Sequence, residues 1–356
     1  MLIKNLSLIN FRNFSEYKVE FGEKLNCIVG NNGVGKTNIL EAIHLLANFR
    51  SFKKQGDEVL LKNNEEGFNV KLSFMSDKEH EIEYQFDKSG TKKIFFDKEL
   101  AKKISSIYGQ LLVTTFTPND VYLFIKTPED RRKVLDEVLS LVDKTYLYSF
   151  TRYKKILKER NQLFAREIDD EDIINLYSDE LIAPGYKLLS KRREFVININ
   201  RRINFYYEKL SGSNTNTLKL IYVNPQKRID SYEVYLATMR KLFSENRSEE
   251  RIKKHTIFGP HRDDLQLLYN NTPIEEIASQ SQTKLALLAF KLATVDYIFK
   301  MTNLKPILLL DDIVSDLDEI RINNLIALIS DLDQVIITTS NKNLPFLNKT
   351  NLIQID

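Results

Sequence analysis

Apolar and polar residues alternate along the first thirty positions, and a two-residue period in short runs marks half-buried strands. It predicts strands over residues 2–9, 17–21 and 24–29, separated by Asn13 and Gly22. From Thr37 to about Phe49 the period lengthens to that of a helix, with Ile39, Ile43 and Leu46 on one face. Alternation returns over residues 68–97 (FNVKLSF, HEIEYQF, KKIFF), as in an antiparallel meander, and residues 110–116 form a further apolar strand. After Pro118 the texture changes. Residues 129 to 210 are long helical patterns crowded with Lys, Arg and Tyr, with one break expected at Pro184-Gly185. SGSNTNT (211–217) reads as a loop and residues 232–243 as a helix. Beyond about residue 255 strands (265–269, 307–310, 335–338, and 352–355 at an edge) alternate with helices (283–299, 319–329). This order predicts an α/β domain with one sheet built from both chain ends, residues 1–117 and 255–356, and a helical lobe, 118–254, inserted between them. The helices lack sustained heptads, so a long coiled coil is not expected.

Composition narrows the class. The chain has 356 residues, about two domains at roughly 100–200 residues each, or one domain with a large insertion. Hydrophobic residues make up 42% and charged residues 28%, which excludes collagen-like, low-complexity and disordered chains. The single cysteine, Cys27, rules out an intrachain disulfide and points to a reducing compartment. No apolar run approaches the roughly 18 residues of a membrane helix. The opening MLIKNLSLINF places Lys4 inside an alternating pattern, as a strand does and a signal peptide does not. A cytoplasmic protein with no membrane partner is expected. Lys and Arg total 52 against 49 Asp and Glu, a net +3. That balance is too even to identify a polyanionic partner; a nucleic-acid binder of this composition must gather its cations on one face.

Gly30-Asn31-Asn32-Gly33-Val34-Gly35-Lys36-Thr37 matches G-x-x-x-x-G-K-[ST] between a predicted strand and a predicted helix. The glycines let backbone N–H groups turn inward around a phosphate, and the helix start adds a favourable dipole. Lys36 is expected at the β- and γ-phosphates and Thr37 at Mg²⁺. The metal needs a distant carboxylate, and the apolar strand ILLL ending in Asp311-Asp312 supplies one at the strand end that faces a phosphate crevice. Asp311 is the expected metal partner. Asp312 either orients and deprotonates the attacking water or caps the next turn. Ser315-Asp316-Leu317-Asp318 reads alone as a helix cap; beside the acidic pair it resembles the D-loop of ABC-type ATPases. Ser279-Gln280-Ser281-Gln282, before a long helix, is by itself an ordinary cap or a phosphate-holding serine. In this order along the chain it resembles the ABC signature motif, which meets the nucleotide of a second subunit. Thr338-Thr339-Ser340 either supplies a hydroxyl at the γ-phosphate or only ends a strand. Cys27 reads as a strand core residue.

Several segments together resemble the RecF family of recombination-mediator ATPases, relatives of SMC heads. They are Leu8-Ile9-Asn10-Phe11-Arg12-Asn13-Phe14, the phosphate loop continuing as NILEAI, Thr115-Phe116-Thr117-Pro118-Asn119-Asp120 with Arg131-Arg132 and Leu135-Asp136, Phe258-Gly259-Pro260-His261-Arg262-Asp263-Asp264-Leu265, and LLLDDIVSDLD. The resemblance implies an ABC-ATPase, SMC-head-like fold. It implies ATP and Mg²⁺ as ligands, held by residues 30–37 with Arg12, Ser279, Gln282, Ser315 and Asp318, and catalysis by Lys36 and Asp312. It further implies an ATP-dependent homodimer on duplex, gapped or junction DNA, working in gap repair with RecR and RecO to load RecA. Ser281 stands where the family usually has glycine, and Asp312 is one methylene shorter than the glutamate common in the superfamily, which implies slow turnover. The 261–264 run is either a salt-bridged corner or a contact to nucleotide or partner. For DNA, the cluster Arg50, Lys53, Lys54 and Lys62 is favoured by analogy with related heads; the helical clusters at 154–160 and 191–202 read more readily as solvated faces. Two other classes share parts of this pattern. A transporter ATPase subunit needs a switch histidine after the last core strand, and a short SMC-like tether needs long heptads.

Overall fold

A strand buried on one face alternates, and a strand buried on both is apolar throughout; the chain uses the two kinds in two different sheets. The computed structural model describes residues 1–53, 56–225 and 229–356; Lys54 lies outside the described residues. They divide into two units. Unit 1 comprises Met1–Val121, Phe205–Asn214 and Lys284–Asp356, and unit 2 Tyr122–Asn204 and Thr215–Thr283.

In unit 1 the alternating strands β1 (Leu2–Phe11), β2 (Phe14–Glu20), β4 (Gly67–Met75), β5 (Glu79–Asp87), β6 (Lys92–Phe96) and β7 (Glu99–Leu100) form an antiparallel sheet in the order β2-β1-β4-β5-β6-β7. The largely buried strands β3 (Lys24–Val29), β8 (Val113–Phe116), β12 (Ile307–Asp311) and β13 (Gln334–Thr339), with the more exposed edge strand β14 (Asn351–Gln354), form a parallel sheet in the order β14-β3-β13-β12-β8. Chain ends interleave there as expected, but the sheet is not single: the first two strands and the meander make their own antiparallel sheet. Hairpin-linked strands with one polar face pair with each other rather than join a sheet covered on both sides. Helices α1 (Lys36–Asn48), α2 (Ile104–Ile107), α10 (Gln280–Thr302, residues 284–302 in this unit) and α11 (Glu319–Ile329) complete the unit.

Unit 2 carries α3 (Pro128–Val142), α4 (Lys144–Ala165), α5 (Glu171–Asn200), α7 (Tyr232–Glu245), α8 (Arg247–Lys253) and α9 (Ile274–Ile277); α6 (Ile203–Ser211) begins in it, and residues 205–211 of that helix belong to unit 1. The starts follow capping chemistry: Thr127, Asp143, Asp170 and Ser231 each accept from the first turn of the helix they precede. No break occurs at Pro184. α5 runs through it to Asn200, with Pro184 and Gly185 both buried. A Cβ at Gly185 would lie 2.7 Å from Tyr235 Oη and 3.3 Å from Tyr153 Cε2, so tight packing against these rings holds the helix where propensity alone would end it. The unit also has a sheet of its own. β9 (Leu218–Val223), unforeseen behind the SGSNTNT loop, pairs antiparallel with β10 (Asp264–Tyr269), and β10 with β11 (Thr272–Pro273). That pairing carries residues 255–283 into unit 2, later than the expected boundary at 254/255.

The interior of unit 2 is partly ionic. Arg160, fully buried, makes a bidentate pair with Glu250 at 3.1 and 2.6 Å, donates to Ser178 and Thr256, and lies over the rings of Phe164 and Phe243. Arg192 grips Asp136 at 2.8 and 3.0 Å and donates to Pro260 O at 2.6 Å. These two members of the helical basic clusters are therefore core residues, neither solvated nor open to a phosphate.

Candidate phosphate-binding site

The parallel register brings the site together within unit 1. Asp311 pairs with Thr338 across β12 and β13, and Thr338 and Thr339 pair with Ile28 and Val29 across β13 and β3. The ends of β12, β13 and β3 thus lie side by side where β3 runs into residues 30–37 and α1 begins. This is the strand-end crevice in which open parallel sheets bind phosphates.

The loop is glycine-dependent at two kinds of position. Gly33 and Gly35 have φ of +87° and +116°, which side chains with a Cβ rarely adopt. At Gly30 a Cβ would lie 2.3 Å from Ile355 O. Asn31, Asn32 and Gly33 are exposed, as the rim of an open cradle, and Val34 is half-buried. Lys36 folds back over this cradle, its Nζ donating to Gly30 O and Asn31 O at 2.8 Å each. Burial pulls its pKa down, against the pull of the Asp312 and Asp311 charges. An ammonium satisfied by two neutral carbonyls in such a place exchanges them readily for phosphate oxygens.

Thr37 Oγ1 donates to Asp311 Oδ1 at 2.9 Å, and Thr338 Oγ1 donates to the same oxygen at 2.8 Å. Burial raises the Asp311 pKa and the Asp312 charge adds to that, while both hydroxyls oppose it. Hard oxygens from one hydroxyl and one carboxylate, side by side, fit Mg²⁺, which takes few protein ligands and relies on water and phosphate for the rest. Among the described residues no group of three or more His, Cys, Asp or Glu forms a separate metal site.

Asp312 sits at φ +49°, with its N–H donating to Thr338 Oγ1 at 3.0 Å. Its Oδ1 accepts from Ser315 Oγ. Ile313, at the start of the 3₁₀ turn Val314–Asp316, gives no side-chain cap; Asp312 meets that turn through the Ser315 hydroxyl, and its charge also acts on Lys36. Asp318 caps α11, accepting from Arg321 N at 2.8 Å. Ser279 and Gln282 form a reciprocal capping box at the start of α10: Ser279 N donates to Gln282 Oε1 at 2.9 Å and Gln282 N to Ser279 Oγ at 3.3 Å. Both belong to unit 2.

Arg12 is engaged by Glu41, a fully buried carboxylate of α1, through Nε and NH2 at 2.9 and 2.6 Å. Lys53 joins the same carboxylate at 3.1 Å, and Lys62 donates to Ser15 Oγ. Arg50 is exposed; its charge, after burial and before that of Lys291, helps hold the enclosed His44 neutral, with a pKa pushed down to about 3. Glu41 is the residue the sequence reading missed. Its signal is a lone charge inside the apolar run ILEAIHLL. The 261–264 run forms a corner inside unit 2. Asp264 takes both arms of Arg131 at 2.8 and 2.7 Å, His261 bridges Tyr153 and Thr256, and Asp263 is buried against Tyr222.

The family model described as RecF/RecN/SMC N terminal domain matches residues 2–355. A DNA replication and repair protein RecF of Thermoanaerobacter sp. (strain X514) is 33% identical over 326 residues, 90% of this chain and 89% of its own. The protein of that name from Clostridium tetani (strain Massachusetts / E88) is 31% identical over 353 residues, 97% of this chain and 94% of its own. A solved structure of the recombination mediator protein RecF-ATP in the RecFOR pathway superposes with a TM-score of 0.89 at 29% identity, over 96% of this chain and 93% of the other. An SmcHead bound to the C-winged helix domain of ScpA, at 18% identity and a TM-score of 0.56 over 97% and 91%, shares the fold alone. The ABC-ATPase, SMC-head-like fold expected from the motifs is the fold observed, no described helix is long and apolar enough to cross a membrane, and the chain belongs to the RecF family.

Proposed function

We propose that the chain is a cytoplasmic, ATP-dependent DNA-binding protein of recombinational repair and a slow Mg²⁺-dependent ATPase. The observation that carries the reading is the Thr37–Asp311–Thr338 contact beside Lys36 and the Gly30–Gly35 cradle. Thr37 and Asp311 would hold Mg²⁺, which would supply charge neutralisation to the β- and γ-phosphates. Lys36 leaves its two carbonyls for those phosphates, the loop N–H groups hold their oxygens, and Asp312 accepts a proton from the attacking water. Ser279 and Gln282, with Ser315 and Asp318, serve a second copy in a head-to-tail dimer that closes on ATP and reopens on hydrolysis. Unit 1 is the nucleotide-holding lobe in this scheme. The dimer holds duplex, gapped or junction DNA through Arg50, Lys53 and Lys62, and works with RecR, RecO and RecA. The relatives' names and the RecF-ATP structure support this reading.

The test measures binding of a fluorescent ATP analogue with Mg²⁺, then binding of gapped duplex with ATP, ADP or no nucleotide. Lys36→Ala loses a charge-assisted bond of about 1.5–3 kcal/mol, so nucleotide affinity drops by about tenfold to a hundredfold. Unchanged affinity removes the phosphate-loop assignment; DNA binding indifferent to nucleotide removes the clamp.

A further inference from the structure

A closed circuit of side-chain bonds joins the phosphate loop to the segment behind α1. Asn13 Nδ2 donates to Val34 O, inside the loop, at 2.8 Å. Asn38 Nδ2 donates to Asn13 Oδ1 at 2.9 Å. Lys53 Nζ donates to Asn38 Oδ1 at 3.2 Å and pairs with Glu41 at 3.1 Å. Glu41 in turn holds Arg12, the chain neighbour of Asn13, and Ser51 ties the remaining side, donating to Glu41 while accepting from Lys53 N at 3.0 Å. Two routes therefore run between Val34 and Lys53, one through Asn38 and one through Glu41 and Arg12.

Val34 lies between the two positive-φ glycines of the loop. A phosphate drawing in the loop N–H groups acts on this peptide directly, and the Val34 carbonyl is the acceptor of Asn13. At the other end Glu41 cannot release one cation cheaply. Burial pushes its pKa up, but the hydrogen bonds of Arg12 and Ser51 and the charges of Lys53 and Arg12 outweigh that and keep it below the usual carboxylate range. A buried carboxylate stripped of a partner is a strong penalty, so Arg12 and Lys53 move together or not at all.

We propose that this circuit couples the geometry of the phosphate loop to the presentation of the basic residues Arg50, Lys53 and Lys62, with Glu41 as the positioning residue that locks its two ends. The inference rests on the reading of the chain as an ATP-dependent DNA-binding protein. Asn38 and Glu41 touch no phosphate in this scheme; they set where those basic residues stand.

The experiment compares DNA affinity with and without a non-hydrolysable ATP analogue, at fixed salt, for the parent, Asn38→Ala and Glu41→Gln. Coupling of this kind is typically about 5–150-fold in affinity. In Asn38→Ala, which opens the first route at a half-buried site, nucleotide affinity and nucleotide-free DNA binding stay at the parent's values while the ratio shrinks. In Glu41→Gln, which keeps shape but removes both ion pairs, the ratio falls to near one. A rise in melting temperature with the analogue checks that each variant still folds and binds it. If both variants keep the parent's ratio, or lose DNA binding equally with and without nucleotide, the circuit is only scaffolding and the inference is overturned. If Glu41→Gln does not fold, Asn38→Ala alone decides. A parent with no ratio to lose defeats the functional reading itself, which separates the two failures.

Discussion

The phosphate crevice of unit 1 and the ionic interior of unit 2 both collect charges, and they treat them in opposite ways. In the crevice each charge is satisfied by neutral groups: Lys36 by two carbonyls, Asp311 by two hydroxyls, Asp312 by the Ser315 hydroxyl. In unit 2 the charges satisfy one another: Arg160 with Glu250, Arg192 with Asp136, Arg131 with Asp264. A charge held by neutral partners can trade them for a ligand of opposite sign; a charge already paired in a dry interior has nothing to gain from one. The difference separates a site from a scaffold more sharply than burial does, since Asp311 and Lys36 are at least as enclosed as Asp136.

Removing half of a pair should break the scaffold first. Glu250→Gln leaves Arg160 buried with an uncompensated charge, which costs about 3–5 kcal/mol. Chemical denaturation should show that loss, while nucleotide binding by the protein that remains folded should match the parent's. The double replacement Arg160→Met with Glu250→Leu, similar in volume and apolar, should recover most of it. A double variant as unstable as the single one would mean that the pair contributes through geometry rather than charge.

Asp312→Asn acts on the other side of the comparison. The amide keeps size and accepts the Ser315 bond but takes no proton. ATP should bind as before, and hydrolysis should fall by about a hundredfold or more, the usual contribution of a general base. Steady-state phosphate release measures this. A parent-like rate would show that water is activated elsewhere and leave Asp312 as a backbone corner at positive φ.

The same contrast decides what was legible in the sequence. The crevice was readable because its chemistry forces residue types at fixed spacing: glycines where φ is positive or a carbonyl crowds in, lysine and threonine at the helix start, carboxylates at the end of a fully apolar strand. Partners set by tertiary packing were not. Arg160 and Arg192 sit in runs that look like solvated cationic faces, and only the fold brings Glu250 and Asp136 to them. Glu41 was hidden for the same reason, its cations lying 29 residues before it and 12 after. Propensity misled at Pro184, where packing against Tyr235 and Tyr153 overrides the break. The strand LKLIYV went unseen because its pairing partner lies some forty residues on.

The smallest effect tests whether an unpaired charge in the scaffold behaves as the contrast requires. Asp263 is fully buried, accepts from Tyr222 and Asn224 through one oxygen, and finds no partner for Oδ1 among the described residues. Burial raises its pKa to about 6, against the hydrogen bond of Tyr222 and the charges of Arg192, Arg132 and Arg193. A carboxyl whose folded pKa exceeds its unfolded value, here 3.8, binds its proton more tightly when folded. Its contribution to stability therefore improves as pH falls from about 6 toward 4 and is at its worst above 6. Asp263→Asn, neutral at every pH and still able to accept from Tyr222, escapes that penalty. The variant should melt at or above the parent temperature at pH 7.5, by an amount of order 1–2 kcal/mol, and the advantage should vanish or reverse by pH 4.5. Paired melting curves at several pH values read this directly, because the other titrating groups cancel in the difference. An advantage that instead grows as pH falls would mean the three arginines dominate and that Asp263 is a paired charge like the rest of the scaffold.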